Sequence, residues 1–189
     1  MLTMPNTFAE KEGCVKGDYS WLAFRHDFDV CAYLSKHPKL AEIIHHYFYG
    51  SPKDVAAVKL GTFNQVTMAE EVGKYGIITT EEEFSKFLQG RPLPQINFEK
   101  YSCLFVVNRS RYGSAGVCEI KEFPRCMRII IRRISEDIPI GGGPYTALHE
   151  LPKTDKKIIF VVLSSVQGKA SCSIHDGERV IFENELKNN

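Results

Sequence analysis

Residues able to do chemistry are few in this chain. His26, Asp27, Asp29 and Cys31 crowd into one short stretch, and a thiol beside an imidazole is the raw material of a nucleophilic dyad. Such a dyad needs hydrogen-bond reach between its members, which closeness in sequence does not supply. A small thiol hydrolase using Cys31, or another thiol with a histidine, is therefore the enzymatic alternative and not the leading reading. His45 and His46 are adjacent on a helical pattern, where successive side chains point about 100° apart and cannot share one ion. They are expected to be ordinary surface or boundary histidines. Ile140-Gly141-Gly142-Gly143-Pro144 is glycine-rich, but it lacks the Lys-Ser/Thr pair and the following helix that a phosphate loop needs. Asn108-Arg109-Ser110 fits a glycosylation sequon. No catalytic set, cofactor motif or metal-ligand spacing emerges.

The six cysteines, Cys14, Cys31, Cys103, Cys118, Cys126 and Cys172, form no CxxC pair and no Cys/His cluster at zinc spacing. Reduced thiols acting as small apolar side chains are expected. A Cys118–Cys126 bridge is disfavoured, because strand alternation turns the two side chains apart. The one basic concentration combines Arg109, Arg111, Arg128, Arg132 and Arg133. A solvated sheet face is the first expectation for it and an acidic protein surface the second. Nucleic acid comes last, since no aromatic residues are interleaved with the arginines.

The elements that would position these residues centre on Pro94 to Ile134. Tyr101 to Val107 is an unbroken apolar run, the pattern of a central strand buried on both faces. Ser114 to Ile120 follows, with Gly116 suggesting a bulge or a close backbone approach. From Cys126 to Ile134, Met127, Ile129 and Ile131 alternate with Arg128, Ile130 and Arg132. The connections are short, so hairpins and an antiparallel sheet are expected. Ile158 to Ser164 reads as another two-sided strand, and Ala170–Ile174 with Arg179–Phe182 as a closing hairpin. Pro38, the apolar positions Leu40, Ile43, Ile44, Tyr47 and Phe48, and Gly50 mark an amphipathic helix over 38–49. Thr80-Glu81-Glu82-Glu83 is a capping box, with Phe84, Phe87 and Leu88 on the buried face and Gly90 at the end. Ala56 to Met68 is weakly strand-like. Residues 1–33 carry aromatics without periodicity and receive no assignment. The fold class is α+β, a mostly antiparallel sheet packed with one or two helices.

With 189 residues, 43% hydrophobic and 25% charged, the chain can bury a sizeable core. The formal charge of +1 provides no field to recruit nucleic acid or anionic membrane. No apolar run is long enough to span a membrane, and MLTMPNTFAEKEG lacks a signal-peptide core.

The order "IITTEEEFSKFL", "INFEKYSCLFVV", "GSAGVCEI", an alternating strand and "PYTALHELPKTDKKIIFV" resembles the C-terminal domain of PrcB-like proteins. These are named for a component of a bacterial cell-surface protease complex. The resemblance covers about residues 70–165. Ser114, Ala115 and Gly116 match the family's glycine pattern, and Val117 stands where that pattern has an aromatic residue. The resemblance implies a domain over 70–189, with residues 1–69 as an N-terminal extension that can pack on the sheet. It also implies a place in the cell envelope or outside the cell, a cytoplasmic location being the alternative for a chain that shows no signal. The leading functional expectation is a non-enzymatic protein-binding module, accessory to an envelope protein or protease complex. A structural envelope protein without a dedicated ligand is a further alternative. The expected partner is another protein, contacted through loops carrying Arg109, Arg111, Tyr112 and Tyr145, since function favours loops on rigid scaffolds and Arg and Tyr favour interface centres.

Overall fold

The computed structural model describes residues 14–64, 74–89, 91, 92, 94–108, 115–135, 145–166 and 168–187. In chain order these form a 3-10 turn at Ser20–Leu22, helices α1 (Val30–Lys36) and α2 (Pro38–Tyr47), and strands β1 (Lys53–Asp54), β2 (Val58–Asn64) and β3 (Tyr75–Ile78). Helix α3 (Glu81–Leu88) follows. The remaining strands are β4 (Tyr101–Asn108), β5 (Ala115–Glu122), β6 (Cys126–Ser135), β7 (Tyr145–Pro152), β8 (Lys157–Val166), β9 (Lys169–Asp176) and β10 (Arg179–Glu185). They build a six-stranded sheet, β1-β5-β6-β8-β9-β10, and a four-stranded sheet, β2-β7-β4-β3. Every pairing is antiparallel except that of β6 with β8. The fold is thus α+β with mostly antiparallel sheets.

Local sequence explains the element ends. Thr80 caps α3 by accepting the Glu83 amide at 3.2 Å, and Glu83 reaches back to the Thr79 amide at 3.3 Å, one residue beyond the usual box partner. The chain leaves α3 through Gln89 in the left-handed region, at φ 49°, and Gly90 lies outside the described residues. Pro38 opens α2, which buries Leu40, Ile43 and Ile44. Gly177, at φ 62°, takes the first position of the two-residue loop between β9 and β10, where positive φ matches the twist of the flanking strands.

Apolar residues in both strand parities force a layered arrangement, because each face of such a strand must be covered. Along β4, Leu104 and Val106 meet Ile129, Ile131 and Phe160 of the other sheet. Cys103, Phe105 and Val107 face the opposite way, towards Phe84 and Leu88 of α3. In β8, Phe160 joins the core between the sheets, while Ile159, Val161 and Leu163 turn to Leu40, Ile44, Phe48 and the N-terminal segment. The layers run N-terminal helices, six-stranded sheet, four-stranded sheet, α3. Leu104, Phe105, Val106, Ile129 and Ile159 are all buried. Phe105 also packs on Phe87, ring centroids 4.6 Å apart. Phe105→Ala is accordingly expected to cost about 3–5 kcal/mol in chemical denaturation. A loss under about 1 kcal/mol would show the site to be open to water.

One expectation is corrected. The link from β4 to β5 is no hairpin: the two strands lie in different sheets, because a short connection can arch between packed sheets as readily as turn within one. Only β5 and β6 form the expected pair there. The parallel pairing of β6 with β8 arises because the chain detours through β7 in the other sheet and returns in its original direction. Within residues 1–33, which receive no assignment from sequence, Asp29 caps α1 by accepting the Ala32 amide at 3.1 Å. Within residues 1–69, β1 and β2 form edge strands of the two sheets.

Candidate functional site

Several contacts draw the N-terminal segment onto the six-stranded sheet. Gly17, at φ 133°, passes so near α2 that a Cβ there would stand 2.9 Å from Ile44, so a side chain is excluded on both counts. The Asp18 amide then donates to the Phe48 carbonyl at 2.9 Å. Trp21 Nε1 donates to the Asp18 carbonyl at 2.7 Å, and the Tyr33 hydroxyl donates to the Glu185 carbonyl at 2.9 Å. A disulfide joins Cys14 to Cys31 at the start of α1. In the chain-entropy view, a loop of this length gains about 3 kcal/mol from such a bond.

Between this segment and strands β5 and β6 lies a cleft of about 640 Å³, within the size range of small-ligand pockets. Tyr19, Trp21, Phe24 and Phe28 line one wall; Cys118, Glu119, Ile130 and Arg132 line the other. A β-bulge shapes the strand wall. The β5–β6 register shifts between Val117 and Glu119, leaving Cys118 without a ladder partner. Both Cys118 and Glu119 therefore line the cleft, the re-aiming of side chains that bulges produce. The bulge expected at Gly116 sits two positions further on.

Arg128 stands behind Glu119, 0% exposed. One guanidinium nitrogen donates to both Asp18 Oδ2 at 3.1 Å and Glu119 Oε2 at 2.8 Å. The rings of Phe48, Phe123 and Trp21 surround the group, centroids 4.8, 4.9 and 5.7 Å away, so its charge meets aromatic faces where water is excluded. Lys121 Nζ adds a second cation, 2.9 Å from Glu119 and 3.6 Å from Asp18. Burial opposes the charge of Lys121, but the bond to Glu119 and the nearby Asp18 carboxylate outweigh it and raise its pKa. The expected solvated arginine face is thus corrected at Arg128, since the N-terminal segment covers that side of β6. Arg132 is exposed at the cleft and Arg133 half-buried, 5.9 Å from the Tyr75 ring. Among the described residues, the side chains of Arg132 and His26 have no hydrogen-bond or ionic partner.

The thiols divide by environment. Cys103, Cys126 and Cys172 are buried, and burial pushes each up to about 12, so they are inert at neutral pH. Cys118 is exposed, its Sγ 3.8 Å from the Gly116 carbonyl. Free thiols were the expectation throughout; Cys14 and Cys31 depart from it, and with Cys31 bonded the proposed Cys31 nucleophile is spent. No sequence signal pairs these two, which lie 17 residues apart across an unpatterned stretch. Among the described residues, no group of three potential ligands is placed to hold a metal ion. Among the described residues, no helix is long and apolar enough to cross a membrane.

Of the residues expected at an interface, Arg109, Arg111 and Tyr112 lie outside the described residues, as does the loop 136–144. Tyr145 opens β7, half-buried, between Asn64 and Asn108 in the four-stranded sheet, away from the cleft walls. His45 and His46 are exposed on α2, with His46 Nδ1 2.9 Å from Arg125. His175 Nε2 lies 3.0 Å from Ser173 Oγ, a nucleophile–base spacing. Both sit on β9, an interior strand paired with β8 and β10.

Burial lowers the pKa of His149, with Lys59 adding to it. Burial also lowers that of His175, helped by Arg133 against the pull of Glu183. For a depressed histidine the unfolded chain takes up protons first, so the stabilisation is full above about pH 6.5 and declines as pH falls below it. The melting temperature is expected to drop from pH 7.5 to 5.5 by more in the wild type than in a His149→Gln/His175→Gln variant. Equal drops would remove these histidines as the cause.

No protein-family model, characterised protein or solved structure matches the chain.

Proposed function

We propose that the protein is a non-enzymatic protein-binding module, an accessory or stabilising component of an envelope protein or protease complex, and that the cleft receives an acidic segment of its partner. The observation that carries this reading is the unpaired Arg132 on the wall of an aromatic-lined cleft. A carboxylate is the natural complement of such a guanidinium, and aromatic walls suit the apolar body of a peptide. The envelope setting is supported by the resemblance over residues 70–165 and by the Cys14–Cys31 disulfide, since such bonds persist chiefly in oxidising compartments. A thiol hydrolase has less support: its proposed nucleophile is disulfide-bonded, and Cys118 shows no hydrogen bond to a histidine among the described residues.

Trp21 is the chain's single tryptophan and lines the cleft, so its emission reports occupancy. Titration with a panel of acidic peptides that carry an aromatic residue is expected to shift that emission. Arg132→Ala should then weaken binding by about tenfold or more, because a hydrogen bond to a charged group contributes about 1.5–3 kcal/mol. Peptide binding indifferent to Arg132, or no Trp21 response to any peptide, would reject the cleft and leave the loops of Arg109, Arg111, Tyr112 and Tyr145 as the candidate surface.

A further inference from the structure

We infer that Cys118 and the Cys14–Cys31 disulfide form a thiol–disulfide exchange site across the cleft. Cys31 and Cys118 line opposite walls of the same space, one already bonded and the other the exposed free thiol among the described residues. Two independent features set this arrangement. The bulge takes Cys118 out of the β5–β6 ladder and places it beside Glu119 on the cleft wall. The buried Arg128 binds Asp18 and Glu119 through one nitrogen, pinning the chain just after Cys14 against the residue next to Cys118.

The Cys118 thiolate attacks Sγ of Cys31 along the S–S axis. A Cys31–Cys118 bond forms as the Cys14–Cys31 bond breaks, and Cys14 leaves as a thiolate with the electron pair, taking up the proton that Cys118 gave up. One disulfide and one thiol stand on each side of the step, so no external oxidant or reductant is consumed. A Cys31–Cys118 bond requires the two Cα atoms to come within about 7 Å across the cleft that both residues line. The product state has a covalent bond across the cleft and has lost the tether on Cys14. Exchange thus opposes occupation of the cleft, whatever ligand the cleft takes.

The experiment uses the full chain and needs no ligand. Wild-type protein is held at pH 8 with catalytic oxidised and reduced glutathione, quenched in acid, alkylated and mapped without reduction by mass spectrometry. The expected result is a Cys31–Cys118 peptide pair with Cys14 alkylated, absent when Cys118 is blocked with iodoacetamide beforehand. In Cys14→Ser treated with diamide, the same pair should form within one chain, with loss of both free thiols. Formation of this pair in either protein supports the exchange. Its absence from both, with only Cys14–Cys31 in the wild type and glutathione adducts or intermolecular dimers in the variant, overturns it.

Discussion

Arg128→Ala is expected to lose about 3–5 kcal/mol of unfolding free energy, the usual cost of removing one partner from a buried ion pair. The side chain is wholly buried and bonded to Asp18 and Glu119, so its loss leaves two carboxylates facing the rings of Phe48, Phe123 and Trp21. Lys121 already contacts both carboxylates and offsets part of the penalty. Arg128→Met keeps apolar volume but not the charge, and should lose stability as well, though less. The quadruple change Asp18→Asn, Glu119→Gln, Lys121→Gln, Arg128→Met removes all four charges of the cluster and should recover much of the loss, because a buried charge cluster replaced as a whole is often close to neutral. Urea titration followed by Trp21 emission measures each variant at the site itself. A loss below about 1 kcal/mol for Arg128→Ala, the scale of an exposed pair, would mean that the guanidinium is in water and the N-terminal segment is not seated on β6.

How far the chain could be read without its structure depended on how local each cause was. The two-sided burial of β4 follows from an unbroken apolar run, and the cap of α3 from Thr80 and Glu83, three residues apart. The start of α2 follows from Pro38. What escaped reading is non-local. The fate of Arg128 depends on Asp18, 110 residues away, in a stretch whose aromatics show no period because they pack individually against one sheet. The sheet to which β5 belongs depends on whether a short connection turns or arches, a choice made by packing. Strand β3, Tyr75–Ile78, is too short to show alternation. The cleft inherits all of these, since its walls come from the unpatterned segment and from a bulge. In the sequence its exposed Arg132 is one member of a basic concentration.

A fragment beginning at Glu70 is expected to fail to fold cooperatively, although it holds the capping box, the central strand and the closing hairpin. Removing residues 1–69 takes away β1 and β2, which are edge strands of the two sheets. It also uncovers one whole face of the six-stranded sheet. Ile130, Ile159, Val161, Leu163, Ile174 and Phe182 are buried on that face against Trp21, Leu34, Leu40, Ile44 and Phe48. At about 1.5–3 kcal/mol for each fully buried large side chain, returning these six to water forfeits roughly 9–18 kcal/mol. The whole stability of a domain is about 5–15 kcal/mol, so the loss matches or exceeds what is available. Arg128 would lose Asp18 and two of its aromatic neighbours in the same step. The expected observations are a broad, non-cooperative thermal transition, strong binding of a hydrophobic dye and concentration-dependent aggregation. Supplying residues 14–64 as a separate chain should restore a cooperative transition if the uncovered face is the cause. A fragment that melts sharply on its own, with little dye binding, would show that the sandwich of the two sheets is sufficient and that the N-terminal layer is an addition to a finished core.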